Sequence, residues 1–298
     1  MPFLLTVKYD LSLWRKVINA DTQDVLHSIQ QRLSSCYGMK IFFINLLLKG
    51  CPSVRRNRHL QIYILRRLIA NMPAALYQHA LALVSTGQCS AAMIRLDLAI
   101  IRRHSPSRAL LAHMLIGGRE GVAKDRNRAV ELAKEGAHLG CHHCQGVLAK
   151  CYFWGYGIQR DVALSLKLVR NSSDTGSRYG QVTLGIQHYS GLGGLAMDNV
   201  QALAFYRLAA AQSLDDAHYF LGYMYFYGRS INQDRTEALK WFQLAANQGH
   251  PLAMFYVAFC HHHGQGVVVD VEEAILWYRR ALAAGHILAA TKLRELRA

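Results

Sequence analysis

Glycine returns on a fixed period in this chain. Gly140, Gly176, Gly249 and Gly285 mark it, Ser213 stands where one more would fall, and the successive intervals are 36, 37, 36 and 36 residues. This feature constrains the fold more than any other, because a unit this short cannot bury an apolar face alone and must stack on its neighbours. Other positions recur once the chain is aligned on these marks. A small residue follows each boundary (Cys144, Gly180, Ala217, Ala253), then Leu148, Leu184, Leu221 and Val257, each trailed by a small residue. A ring comes next (Tyr152, His188, Tyr225, His261), then a glycine (Gly155, Gly191, Gly228, Gly264) and an aspartate (Asp161, Asp198, Asp234, Asp270). The second half carries Ser165, Ala202, Ala238 and Ala274, followed by the pairs Leu168-Val169, Phe205-Tyr206, Trp241-Phe242 and Trp277-Tyr278. An earlier copy keeps Gly118, Gly121, Asp125, Ala129 and Leu132, with one residue inserted in its loop.

Within each unit apolar residues recur at three and four positions, the signature of a helix. The loop glycines end a first helix, where a left-handed residue is cheap for glycine. The aspartates open a second helix, where a carboxylate caps free backbone N–H groups and meets the positive end of the dipole. The expected fold is therefore all-α: a superhelical solenoid of helical hairpins. Five repeats are expected at 108–140, 141–176, 177–213, 214–249 and 250–285. A degenerate helical repeat at 72–107 turns at Gly87, and a capping helix covers 286–298.

The pattern resembles the Sel1-like repeat family, relatives of the tetratricopeptide repeats. The run "AHYFLGYMYFYGRSINQDRTEALKWFQLAANQG" matches the family motif almost throughout, and "AMFYVAFCHHHGQGVVVDVEEAILWYRRALAAG" differs mainly at His261. Departures are Ser230 for the second loop glycine, Gly194 for a valine, and "LVRNSSDTG" for the usual aromatic-rich second helix. The resemblance covers residue 108 to the C-terminus. It implies right-handed α/α superhelices that act as adaptors in protein assemblies, including endoplasmic-reticulum-associated degradation, bacterial signalling and mitochondrial assembly.

Charge is uneven along the chain. The net charge is +15, and residues 1–71 hold eleven basic side chains against three acidic ones, with no repeat. Helices are expected near 11–35, 39–49 and 55–70. The stretch "SVRRNRHLQIYILRR" carries Arg55, Arg56, Arg58, Arg66 and Arg67 among apolar residues. A basic patch of this kind binds nucleic acid, an anionic membrane surface or an acidic protein; the competing reading is a solvated helix on an N-terminal cap. The start of the chain lacks the basic opening and small-residue cleavage site of a signal peptide. The longest apolar block, "IFFINLLL" at 41–48, falls short of the about 20 residues needed to span a bilayer. An intracellular place, cytoplasmic or mitochondrial, is expected.

The stretch "LGYMYFYG" has more rings than one buried face absorbs. Tyr225 occupies the recurring ring position, so it is expected in the core with Trp241, Phe242, Trp277 and Tyr278. Phe153, Trp154, Tyr189, Tyr219, Tyr223, Phe226, Tyr227, Phe255 and Phe259 fall between recurring positions. On first helices lining a concave face, they are expected to form an aromatic groove for a partner peptide or helix.

The seven cysteines are odd in number and scattered, unlike a secreted disulfide framework. "CHHCQGVLAKC" and "CHHHG" suggest zinc, which wants four ligands in a tetrahedron. Cys144 and His261, however, fill repeat positions, and the clusters lie three repeats apart, on the order of tens of ångströms at helix spacings of ~8–10 Å. "GLGG" at 191–194 is a repeat loop, not a phosphate loop. No metal, cofactor, catalytic residue or small-molecule substrate is expected. The function expected is a non-enzymatic adaptor that binds a protein. The alternatives are a component of an RNA-containing or anionic-surface assembly acting through the basic N-terminal region, and, by family analogy, an adaptor of endoplasmic-reticulum-associated degradation.

Overall fold

Thirteen helices, joined by short turns, account for residues 72–296, which are the residues described by the computed structural model. They are α1 (Pro73–Ser85), α2 (Cys89–Ile101), α3 (Ser105–Gly117), α4 (Arg126–His138), α5 (His142–Trp154), α6 (Val162–Asp174) and α7 (Arg178–Ser190). After these come α8 (Asn199–Ala210), α9 (Asp215–Tyr227), α10 (Arg235–Asn247), α11 (Pro251–His263), α12 (Val271–Ala283) and α13 (Leu288–Glu295). They belong to one compact unit, Met72–Ala298. The helices expected between 11 and 70 and the patch of Arg55, Arg56, Arg58, Arg66 and Arg67 lie outside the described residues.

Odd-numbered and even-numbered helices pair as hairpins, and the recurring residues make the joints. Asp125, Asp161, Asp198, Asp234 and Asp270 each accept a hydrogen bond of 2.9 Å from a first-turn amide of the even-numbered helix. Such a cap contributes about 1 kcal/mol. Four of these aspartates donate their own N–H to the carbonyl of the recurring ring residue, Asp161 to Tyr152, Asp198 to His188, Asp234 to Tyr225 and Asp270 to His261, and Asp125 donates to Leu115. Aspartate and ring thus close those four loops from both sides. Gly228 ends α9 in the left-handed region, as Gly155, Gly191 and Gly264 end α5, α7 and α11. Where serine replaces glycine the backbone stays left-handed: Ser213 has φ +55° and Ser230 φ +56°.

Packing explains the small positions. A Cβ on Gly222 would lie 2.6 Å from the Phe242 ring, and one on Gly185 2.7 Å from Tyr206. In each aromatic pair the second ring is fully buried: Tyr206, Phe242 and Tyr278. Two expectations for the core are corrected. Tyr225 is half-buried, because its ring stands at the end of α9 where the hairpin opens toward its loop. Trp241 is half-buried too, packed beside the His218 ring at 5.6 Å, while Trp277 is buried. At the C-terminal end α13 lays Ala289 and Leu293 inward and leaves Ile287 and Leu288 exposed.

The superhelix winds tightly enough for its first hairpins to reach its last. The Cys89 thiol faces the Gln248 carbonyl at 4.0 Å. Lys124 Nζ donates to the Gly285 carbonyl at 3.3 Å, and Arg280 pairs with Glu120 at 3.6 Å. The residue inserted in the α3–α4 loop has a structural effect. It lets Arg119 and Val122 exchange two backbone hydrogen bonds of 2.9 Å, and this tight turn buries Arg119.

Candidate functional site

The inner face of the superhelix, lined by the odd-numbered helices, holds a buried ionic cluster. Asp215 and Asp216 open α9 and are 4% and 6% exposed. Asp215 Oδ2 accepts from Arg119 of the inserted turn, and its Oδ1 accepts from His113 Nε2 of α3 at 2.7 Å. Asp216 pairs with Lys150 of α5 and accepts from His250 Nε2 at 3.2 Å. His250 Nδ1 accepts from the Ala253 amide, which fixes Nε2 as its protonated nitrogen. Arg178 of α7 closes the ring of contacts, donating to the Tyr179 hydroxyl at 3.1 Å, to Tyr77 and to the Gln212 carbonyl.

The titration of these groups follows from their neighbours. Burial alone would raise both aspartates. Arg119 and His113 outweigh it at Asp215, and Lys150, His113 and His250 outweigh it at Asp216, so both carboxyls fall below the usual range. Burial would lower Lys150, but Asp216 holds it above its ordinary value. Burial wins at His113, whose pKa is lowered despite the two aspartates. His113 is therefore neutral at pH 7, and its contact with Asp215 is a hydrogen bond rather than an ion pair. Since Nε2 gives its proton to Asp215, the 3.2 Å approach of Arg119 Nη2 to that nitrogen is a contact only. His113 Nδ1 keeps a bare lone pair with no hydrogen-bond partner among the described residues.

Donor atoms of His113, Asp215 and Asp216 lie within 4.8 Å of one another, a spacing that suits a cation. Arg119 and Lys150 already neutralise both carboxylates, however, so a metal ion would have to displace two cations paired there. The cluster works as an ionic lock between the first and fourth repeats.

A cavity of about 420 Å³ opens beside it, within the size range of small ligand sites. Its wall joins His113, Arg119, Lys150 and His250 to Ile116, Trp154, Tyr156, Ile186, Tyr219 and Phe220. Lys124 and Arg126 stand at its exposed edge without a carboxylate within ion-pair distance among the described residues. Arg126 lies over the Tyr156 ring at 4.2 Å. Cations therefore outnumber carboxylates around this cavity.

The nine aromatic residues separate into distinct places. Phe153, Tyr219 and Phe226 are buried, which corrects their expected place on an open groove. Phe153 meets Trp154 of its own helix edge-on at 4.9 Å, whereas the rings of α9 meet those of α11: Tyr219 and Phe226 each lie 5.9 Å from Tyr256, and Phe226 lies 6.2 Å from Phe259. Tyr219 still contributes to the cavity wall, as does Trp154, which is 47% exposed and stacks on Tyr156. Phe255 turns away toward Tyr278 and His286. Tyr189, Tyr223, Tyr227 and Phe259 come together in a partly exposed band across α7, α9 and α11. Tyr189 meets Tyr223 edge-on at 6.1 Å, and Tyr223 meets Tyr227 at 4.5 Å.

Sequence reasoning missed Tyr256, whose hydroxyl lies 3.4 Å from that of Tyr227 and whose ring stacks on Phe242 at 4.8 Å. It also missed the ionic cluster. Its one visible signal was the pair Asp215-Asp216 at the start of an inward-facing helix, where other repeats carry His142-His143, Arg178-Tyr179 and Pro251-Leu252.

Comparison with known proteins bears on the fold. A family model described as the Sel1 repeat matches residues 105–141, 142–174, 179–214, 215–250 and 251–286. No curated protein matches the chain. Among solved structures, a Sel1 repeat protein from Oxalobacter formigenes is 22% identical over 73% of this chain and 88% of its own, with a TM-score of 0.48. A protective antigen of uropathogenic Escherichia coli with an SLR fold is 21% identical with a TM-score of 0.46; the match covers 91% of this chain and 59% of the antigen. A Sel1 repeat protein from Klebsiella pneumoniae is 20% identical over 77% of this chain and 95% of its own, with a TM-score of 0.41.

Proposed function

The chain belongs to the Sel1 repeat family, and from that premise we propose that it is a non-enzymatic adaptor whose inner face holds a peptide or helix of a partner protein. Sel1 repeat proteins generally mediate protein–protein interactions. The observation that carries the reading is the aromatic band of Tyr189, Tyr223, Tyr227, Tyr256 and Phe259. These rings come from three successive odd-numbered helices and keep part of their faces in water. Aromatic residues are enriched among the residues that dominate binding energy, and two-torsion rings lose little entropy on contact. The band runs through Tyr219 into the cavity wall, where Lys124 and Arg126 offer positive charge. The partner segment suited to this surface presents apolar side chains to the band and an acidic group to the cations.

The test is a triple replacement, Tyr223→Ala, Tyr227→Ala and Phe259→Ala, in the tagged full chain. Loss of the proteins captured by the parent chain, with an unchanged helical signal in circular dichroism, supports the reading. Unchanged capture refutes it. Running the capture with and without RNase separates protein partners from any held through RNA by the basic residues 1–71.

A further inference from the structure

The turn between α4 and α5 carries the sequence Cys141-His142-His143-Cys144 at the start of a helix. Cys141 is the N-cap residue and half-buried, while Cys144, three residues on, is fully buried. Both are free thiols. We propose that Cys141 and Cys144 form a redox-active dithiol that exchanges with disulfides, with Cys141 as the attacking sulfur and Cys144 as the resolving one.

Packing gives no reason for cysteine at either place. Cys144 fills the recurring small position, where other repeats hold Gly180, Ala217 and Ala253. Its partner across the hairpin junction is Gly136, whose counterparts are Ser172, Ala209 and Ala245. A Cβ on Gly136 would lie 2.1 Å from the Cys144 sulfur. Two later repeats thus place an alanine–alanine pair where this one has traded a methyl group for room around a thiol. Cys141 in turn stands where Ser177 and His250 cap their helices with a side-chain hydrogen bond, whereas Cys141 makes none.

Surroundings distinguish the two sulfurs in the sense that exchange requires. The Cys144 thiol, which also donates to the Ser105 carbonyl at 3.4 Å, leads the effects that lower the Cys141 pKa to about 6. It outweighs burial, and the nearby Cys144 and His143 amides, which make no cap bond to the sulfur, and the His142 charge act in the same direction. Cys141 is therefore largely thiolate at neutral pH, whereas the Cys144 thiol is raised by the same pairing and by burial. Arg108 of α3, 9% exposed and with Nη1 unpartnered, lies close enough to favour the Cys144 thiolate when it forms. The charged and titratable groups around the pair are Arg108 from α3, which pairs through Nε with Glu135 of α4 at 3.3 Å, Tyr77 from α1, and Arg178 from α7 through Tyr77. His142 and His143 come from the turn itself, His143 being held neutral mainly by burial.

The exchange balances with a disulfide RSSR as co-reactant. The Cys141 thiolate attacks one sulfur, the S–S bond breaks, and RS⁻ leaves and takes a proton from water. Cys144 gives its proton to solvent and attacks the Cys141 sulfur of the mixed disulfide, and a second RS⁻ leaves. Two electrons pass from the dithiol to RSSR, yielding the Cys141–Cys144 disulfide and two RSH. Stabilising the Cys141 thiolate stabilises the reduced form, so the disulfide is more oxidising than an ordinary structural one.

The experiment equilibrates the full chain in glutathione buffers of graded ratio, quenches with acid, alkylates and digests with trypsin. Both cysteines fall in one tryptic peptide, 135–150, so the bridge reads as a loss of two hydrogens without interference from other cysteines. The expected result is reversible conversion across those ratios. Cys144→Ala should trap glutathione on Cys141, Cys141→Ser should trap none, and Cys141 alkylation in the parent should be half-maximal near pH 6, moving upward in Cys144→Ala. Gly136→Ala with Cys144→Ala recreates the alanine pair of later repeats, so it keeps the trapping test valid if the single variant folds poorly. A peptide that stays doubly alkylated at every ratio, or a Cys141 that alkylates only at the pH of an ordinary thiol and traps no glutathione, overturns the proposal.

Discussion

Asp215→Asn removes one charge from the ionic lock and almost nothing else. The amide keeps the shape of the carboxylate and an oxygen for His113 Nε2. It leaves Arg119, 4% exposed, with the Gly118 carbonyl and no counter-charge of its own. Breaking a buried pair from one side costs about 3–5 kcal/mol, because the remaining charge stays desolvated. Against a typical stability of about 5–15 kcal/mol that is a large fraction. At roughly 2–4 °C per kcal/mol for a unit of this size, the midpoint should fall by roughly 6–20 °C. The two residues are separated by 96 positions, so the loss also loosens the contact between first and fourth repeats. Urea unfolding followed by circular dichroism at pH 7 should show a lower midpoint and a broader transition, as neighbouring repeats uncouple. The companion variant Arg119→Met with Asp215→Asn removes both charges and keeps the acceptor for His113. It should recover most of the loss, with a coupling energy of about 2–3 kcal/mol. A single-variant cost below about 1 kcal/mol, or costs that simply add, would show that water reaches the pair and that the lock does not hold the ring of repeats together.

Two further outcomes follow from local geometry and titration. Ser213→Gly and Ser230→Gly each relieve a left-handed serine, and each should stabilise by about 0.5–1 kcal/mol in denaturant titration, since the strain removed slightly exceeds the added unfolded entropy of glycine. Acid should destabilise the fold in two stages. His143 is depressed from 6.5 to about 4, chiefly by burial, so the unfolded chain takes up a proton first as pH falls below 6.5. That contribution is complete above pH 6.5 and lost by pH 4, worth about 1–2 kcal/mol once discounted for partial exposure. Asp215 and Asp216, held below the usual carboxylate value, add stability present above about pH 4 that disappears only on further acidification. His113, His104, His218 and His286 are lowered chiefly by burial as well and add to the first stage; midpoints measured from pH 7.5 to pH 3, with His143→Asn removing only its own share of that stage, check the order.

The repeating residues were legible because each does the same job in every unit. Asp234 caps a helix for the same reason as Asp161, and the left-handed Ser213 could be recognised from the glycines on either side of it. Alignment on a period averages over the units, so it reveals what they share and hides what only one of them does. The inward stripe shows this. Its equivalent positions read Lys150-Trp154, Ile186-Ser190, Tyr223-Tyr227 and Phe259-His263. Charge at one end gives way to rings at the other, and no consensus residue survives. Arg119 is more extreme, since it sits in the inserted turn, where the alignment has no column at all. Its partner Asp215 lies three repeats later and becomes its neighbour only because the superhelix closes. That winding also explains why Tyr219 and Phe226 were placed wrongly. A shallow curve would have left them on an open groove, whereas tight winding presses one helix's rings against the next. In a chain of this kind the period therefore locates the scaffold, and the positions where the repeats disagree on the inner face locate the surface on which a partner would be chosen.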